Sequence, residues 1–436
     1  MVSRRKSSVS HALWISLIWM LYSAAKPISL WIEGGIPART ETLEDKPLDR
    51  NVLIVLMVLS LIVLIKRNVK WRAILKSNFM IVLFFSYCGI SIAWADFPMV
   101  SFKRWIKEIG LFLSILVVLT ENDPLEAVKT LIKRFSYIVI SFSVLLIIYF
   151  PKIGMDFTTY ADGSLSYQGV AWNKNGLGRI CLVSGIFFFW NLVTIKRTKI
   201  SINKNTQIIK NEGVLIQYLF LMISLSLLIM VNSATSLAGL IIGMGILVAL
   251  GSKAISRNAK NLGIFVVIAI IIGLALQLSF DLIEMFVTSQ GRDLTFTGRV
   301  PLWKDLLAFH TNPLFGVGFG SFWLGDRLTT IWEKYVWLPN ESHNGYLNIY
   351  LELGMVGLFL LAGIIINSFR NFKKALINNF DYGRFQIAIL LISMIYNLME
   401  DGFGKLNLIW FIFLLITVNI PNKISLNESY KPTKFI

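Results

Sequence analysis

Cysteine is almost absent from this chain: two residues in 436, Cys88 and Cys181, far apart, each inside an apolar run and without metal-ligand spacing. That excludes a disulfide framework and a zinc site, and no metal site is expected. Histidine is nearly as rare, with three in all, so imidazole chemistry has only His11, His310 and His343 to draw on. Charged residues make up 15% against 55% apolar, which excludes an ordinary soluble domain. Acidic residues are the scarcer sign, 25 against 42 Lys and Arg, for a net charge of +17. In a soluble protein such an excess would suggest nucleic acid. No basic patch with interleaved aromatics occurs here, so a nucleic-acid partner is not expected. Internal repeats and low-complexity stretches are missing too.

What is present is apolar sequence at near-spanning length. A bilayer core takes about 20 apolar residues per helix. Twelve stretches qualify as candidates: 11–32, 51–65, 78–95, 105–120, 135–150, 175–195, 214–231, 236–251, 263–280, 342–366, 385–399 and 406–420. The fold class is therefore an all-α polytopic membrane protein of about 12 transmembrane helices. On that map the segments on the N-terminal side carry most of the Lys and Arg, as in KRNVKWRAILK (66–76) and KRTKISINKNTQIIK (196–210). Positive segments stay inside, so both termini are expected to be cytoplasmic. The start of the chain, MVSRRK followed by an apolar run and YSAA, imitates a signal peptide. Lys26-Pro27 after the apparent cut and the renewed apolar ISLWI favour an uncleaved helix.

Four regions follow: 1–280 with nine spans, an extracytoplasmic loop at 281–341, three more spans in 342–420, and a cytoplasmic tail at 421–436. Long loops are usually functional. In this one, VPLWKDLLAF (300–309) and LTTIWEKYVW (328–337) have the spacing of amphipathic helices, so an ordered cap on the membrane surface is expected. A second outer loop, 151–175, mixes Gly, Asp, Ser and aromatics, which suits either sugar contacts or a plain solvated connector.

Synthesis outside the membrane has no nucleotide triphosphates to use, so the donor must arrive already activated. A lipid diphosphate glycan meets that need. The protein would then neutralise diphosphate charge, position an acceptor hydroxyl and take its proton. Arg292 and Arg299 in QGRDLTFTGRVPLW have the guanidinium geometry for phosphate oxygens, unless they serve lipid headgroups or Asp293 and Asp305. GVGFGSF (316–322) resembles a phosphate cradle but lacks a strand–turn–helix frame; a tight re-entry of the loop, with amides turned toward an anion, suits it better. His343, at the mouth of the tenth span, is the candidate base, with His310 as rival. Tyr346, Leu347, Tyr350, Gly354 and Gly357 run down one face behind it. Glu352 is about half a turn around and roughly 13 Å deeper than His343, so it is not expected to be its partner. A carboxylate at that depth needs a cation, for which Lys26, Lys107 or Arg179 are the candidates.

Four pieces in order, YQGVAWNKNGLG (167–178), TGRVPLW (297–303), NPLFGVGFGSF (312–322) and SHNGYLNIYLELGMVG (342–357), resemble the O-antigen ligase and O-antigen polymerase superfamily, including its exopolysaccharide-production branch. The resemblance implies a lipid-donor (GT-C-like) glycosyltransferase of the bacterial inner membrane. It would use undecaprenyl-diphosphate-linked glycan at the outer face, with a glycan or lipid-linked acceptor and no metal or other cofactor. By the same resemblance, Arg299 and His343 take the catalytic places. Arg292, Lys174 and Asn175 join them in substrate binding; Tyr346 and Tyr350, placed behind His343 by helical spacing, are further candidates for it. Membrane lipids and a chain-length regulator are further expected partners. The shared motifs do not separate ligation onto a lipid A core, chain polymerisation and glycosylation of protein hydroxyls. A polysaccharide flippase is the alternative from another class, although transporters usually show paired repeats and little outer loop.

Overall fold

The computed structural model describes residues 9–33, 46–156, 165–200, 209–252, 261 and 298–421. These are helical almost throughout. The exception is a two-residue antiparallel pairing of Met155–Asp156 with Ser166–Tyr167 in the second outer loop. Among the described residues, six helices are long and apolar enough to cross a membrane: Pro47–Lys66, Pro124–Tyr149, Lys174–Lys196, Gly213–Val231, Ala234–Gly251 and Gly345–Asn378. Trp71–Ser77 and Phe79–Trp94, bent by 92°, make a seventh if taken as one span. The expectation of twelve is therefore met only in its coarser form, a polytopic helical membrane protein. The ninth stretch, 263–280, lies outside the described residues.

The remaining apolar stretches fall short for a physical reason. Leu13–Ala24, Phe380–Tyr396 and Leu408–Thr417 are too short, and Pro98–Leu119 carries Lys103, Arg104, Lys107 and Glu108. Two of these elements run through the inside of the bundle, Leu408–Thr417 along its whole length and Pro98–Leu119 along its second half. Every residue of Leu408–Thr417 is buried, as is every residue from Gly110 to Leu119. A helix wrapped by protein need not match the bilayer thickness, and a polar side chain on it finds protein partners. Glu108 does so by accepting the Trp410 indole N–H at 2.9 Å. Trp410 also stacks on Phe413, with ring centroids 5.3 Å apart. The outer helices are the reverse: Ile54, Val55, Val58 and Leu59 on Pro47–Lys66, and Leu215, Leu219, Met222 and Ile229 on Ile209–Val231, are exposed apolar side chains that suit lipid.

Connecting segments gather at two ends. Ser10, Arg67, Thr120 and Glu121 form one hydrogen-bonded group. Lys129 lies over Trp190, whose indole donates to Asp381. At the other end Lys26 donates to Ile153 O and Val170 O, Asp96 pairs with Arg327, and Asn175 reaches Glu400. Each of these contacts joins segments that the twelve-span map expects on one side of the membrane.

The C-terminal helices start where the sequence provides caps. Asn344, Asn379 and Asn407 accept from Tyr346 and Leu347, from Tyr382, and from Trp410 amides respectively. In the loop region, helices Arg299–Ala308 and Gly325–Lys334 cover parts of the two stretches expected to be helical. They share a small apolar core of Leu302, Leu306, Val317, Phe322, Trp323, Ile331 and Leu351, separate from the core of the bundle.

The cap is locked into the long helix Gly345–Asn378 at a break. Gly354 has φ 64° and interrupts the helix. Met355 and Val356 amides donate to Pro313 and Leu314 carbonyls, while Val317 and Gly318 amides donate to Leu351 and Glu352 carbonyls. Gly316, Gly318 and Gly320 all have positive φ, 67°, 95° and 64°. A Cβ on Gly316 would run into the main chain of Glu352, and one on Gly318 would meet Ala95 at 2.5 Å. Glycine is required at this loop for both conformation and space. The reading of a tight re-entry thus fits, and the anion is the protein's own. The Gly320 amide donates to Glu352 Oε2 at 2.8 Å. Glu352 also accepts from Asn348 Nδ2 at 3.1 Å, and Asn348 Oδ1 from the Trp323 indole at 2.7 Å. The expected cationic partner of Glu352 is corrected: the donors that reach its carboxylate oxygens are the Gly320 amide of the cap loop and the Asn348 side chain.

Candidate active site

Three segments remote in sequence meet at one carboxylate. Glu400 lies in the turn NLMEDGFGKLN between Phe380–Tyr396 and Leu408–Thr417. Asn397 folds this turn back on itself, accepting from the Gly402 amide at 2.9 Å and donating to Ser393 O at 2.7 Å. The Gly345 amide then docks onto the turn through Asn397 O at 2.9 Å and Glu400 O at 3.2 Å. The first turn of the long helix therefore fixes where Glu400 sits.

Arg299 opens its helix directly after Gly298, which has φ 80°. Its Nη2 lies 2.8 Å from Glu400 Oε1, and its Nη1 donates to Met399 O. One turn along the same face, the Trp303 indole donates to Ser342 O at 2.8 Å, tying this helix to the His343 segment. Asn175 Nδ2 donates to Glu400 Oε1 at 3.0 Å from the start of helix Lys174–Ile200, where Asn173 accepts from the Gly176 amide. Arg179, one turn beyond Asn175, adds its positive charge to the field of Glu341, Glu400 and Asp401.

His343 Nδ1 faces two carboxylates, Glu400 Oε2 and Glu341 Oε1, each at 3.3 Å. With Nδ1 turned to acidic oxygens, the neutral ring carries its proton there and leaves Nε2 as the basic nitrogen. The backbone of His343 is in the left-handed region, φ 50°. A non-glycine residue held there costs about 1–3 kcal/mol, the kind of strain found at functional positions. The Trp337 ring lies 5.5 Å from the imidazole, centroid to centroid.

The electrostatics follow from these contacts. Burial opposes ionisation of Glu400, yet the Arg299 charge and the His343 hydrogen bond outweigh it and hold the carboxyl down to about 2. For His343, burial disfavours the cation, but the Glu400 hydrogen bond and the charges of Glu341 and Glu400 prevail, so its pKa stands above the ordinary 6.5. Next to Glu400, burial raises Asp401 despite its ion pair with Lys405.

Glu341, His343 and Glu400 place three ligand-type atoms within 4.8 Å of one another, close enough to hold a divalent cation. Both Glu400 oxygens already have partners, and a guanidinium stands beside them.

Lys174 begins the helix that carries Asn175 and is half-buried. Tyr346 gives its hydroxyl to Met394 O at 3.0 Å and packs edge-on against Phe403, and Tyr350 packs against the core of the cap. Both face protein. His310 is exposed just beyond the end of helix Arg299–Ala308. Arg292 lies outside the described residues. Sequence reasoning passed over Glu341 and Glu400. The signal for Glu400 was the adjacent acid pair Glu400-Asp401, flanked by glycine, at the end of an apolar stretch that the map places on the side of His343.

Comparison with known proteins bears on this site. The O-antigen ligase family pattern matches residues 219–362, a segment holding Arg299, Glu341 and His343. The exopolysaccharide production protein ExoQ of Rhizobium meliloti (strain 1021) is 24% identical over 311 residues, covering 69% of this chain and 67% of that protein. The chain resembles the O-antigen ligase superfamily, in its exopolysaccharide branch. Within that superfamily segment lie the base candidate and the guanidinium. Asn175 and Glu400, which complete the cluster, lie on either side of it.

Proposed function

We propose that this protein is a membrane glycosyltransferase that transfers or polymerises glycan from an undecaprenyl-diphosphate donor at the outer face of the bacterial inner membrane, without a metal. The observation that carries the reading is the shared carboxylate: Arg299 and His343, from separate segments, both contact Glu400. A guanidinium fixed there has N–H groups left for diphosphate oxygens. An imidazole whose Nδ1 is held by carboxylates presents Nε2 to an acceptor hydroxyl. In the reaction, the acceptor oxygen bonds to the anomeric carbon as the bond from that carbon to the phosphate oxygen breaks. His343 Nε2 takes the hydroxyl proton, and the lipid diphosphate leaves against Arg299, with Arg292 and Lys174 as further candidates for phosphate contact. Attack opposite the leaving group inverts the anomeric centre. The likeness to an exopolysaccharide production protein supports glycan assembly as the setting, and of ligation and polymerisation the one proposed is polymerisation.

The test is a purified-protein assay with lipid-diphosphate repeat units extracted from cells that lack this protein. Transfer without any ion gradient is expected from the wild type and none from His343→Ala or Arg299→Lys at equal protein level. Translocation of the lipid in vesicles without transfer would replace the enzyme by a transporter.

A further inference from the structure

The two carboxylates on His343 Nδ1 are equidistant but differ in every other respect. Glu400 is buried, its side chain 5% exposed, and Arg299 and Asn175 share its Oε1. Glu341 is two residues from His343, its side chain is 25% exposed, and it lies on the segment joining the cap to the long helix. A general base must shed its proton after each transfer. A carboxylate pinned by a guanidinium is a poor acceptor, because protonation would leave the buried cation uncompensated. A half-exposed carboxylate can take the proton and pass it to water.

Resting on the function proposed above, we infer that the pair divides the labour: Glu400 stays ionised and positions His343, while Glu341 is the outlet through which the proton leaves the imidazole. After His343 Nε2 has taken the acceptor hydroxyl proton, the Nδ1 proton moves to Glu341 Oε1, and Glu341 releases it to solvent. The ring is then neutral with its proton on Nε2, and exchange with water returns it to Nδ1. No bond other than N–H and O–H changes, and no co-reactant is needed. The charges facing Glu341 are His343 and Glu400 at the site, Arg179 from the helix Lys174–Ile200, and Asp401 and Lys405 from the Glu400 turn, with the Tyr396 hydroxyl below.

The experiment uses the full-length protein with the same extracted lipid-diphosphate repeat units, comparing wild type, Glu341→Gln, Glu341→Asp and His343→Ala. Glutamine keeps a hydrogen-bond acceptor for Nδ1 but cannot take the proton. Glu341→Gln should lower turnover by about 10²-fold, the usual worth of a positioned proton acceptor. Its KM for the acceptor should stay unchanged, its solvent deuterium isotope effect should rise, and added formate should restore most of the rate. Glu341→Asp should retain activity within a few fold. A wild-type rate in Glu341→Gln, or a loss that formate does not mend and that comes with a raised KM, overturns the outlet while leaving the base in place. Full activity in His343→Ala would instead overturn the reading on which it rests.

Discussion

Glu352 and Glu400 are both buried carboxylates beside the cap, yet they are satisfied in opposite ways. Glu352 accepts from neutral donors, the Gly320 amide and the Asn348 side chain, in a chain that closes on Trp323. Glu400 accepts from a guanidinium, faces an imidazole and shares one oxygen with an amide. The neutral network fixes the shape of the loop against the break at Gly354. The charged one gathers groups that a phosphate and a hydroxyl can recruit. Glu352 stands at the break in the long helix, where the backbones of the cap and the membrane helix interlock, and Glu400 stands against the first turn of that helix.

Substitution of the two carboxylates separates these roles, and the largest difference is expected in transfer. Glu400→Gln should reduce transfer by about 10²-fold or more by freeing Arg299 and His343. Glu352→Gln keeps an oxygen for the Gly320 amide and should stay within a few fold of wild type, both read by product formed per unit of membrane protein. Equal losses would erase the distinction. Next in size is stability. Glu352→Leu leaves the Gly320 N–H and the Asn348 amide unmet, at about 1–3 kcal/mol each, and should lower the unfolding temperature in detergent. Gly318→Ala, forced into a positive φ against Ala95, should do the same without altering the pH profile.

The pH dependence sharpens the comparison further. His343 works as a base only when neutral. With its pKa raised by Glu400 and Glu341, transfer should climb as pH rises through a midpoint above 6.5. Removing the Glu400 charge removes part of what raises it, so the residual activity of Glu400→Gln should show a limb at lower pH. Glu352→Gln should leave the limb in place. The smallest expected effect is that of a chelator. If Arg299 is the resident cation of the Glu341, His343 and Glu400 cluster, EDTA should leave the rate unchanged, and a fall would assign a metal to those three ligands.

Much of this architecture was legible from apolar runs. Eleven of the twelve stretches coincide with helices among the described residues, because twenty apolar residues have few other solutions. Where the map and the structure part, as in Pro98–Leu119 and Leu408–Thr417, the helices are lined by protein, and hydropathy alone does not distinguish that surrounding from lipid. In the candidate site, Arg299 and His343 stood out because their residue types are rare or well placed in the outer loop. Glu400 did not, because its meaning comes from contacts made across 57 residues to His343 and 101 to Arg299. The partner of Glu352 was misjudged for a related reason. Sequence reasoning supplied a cation for a buried charge, whereas the chain supplied the Gly320 amide of the cap loop and the Asn348 side chain.

The central claim is that Glu400 joins Arg299 and His343 into one reacting unit. It is tested most directly by single-turnover transfer in the purified protein, comparing Arg299→Lys, His343→Ala and the double variant. Groups that act together predict a double variant about as impaired as the worse single one. Losses that multiply, or a single variant that transfers at the wild-type rate, would contradict it.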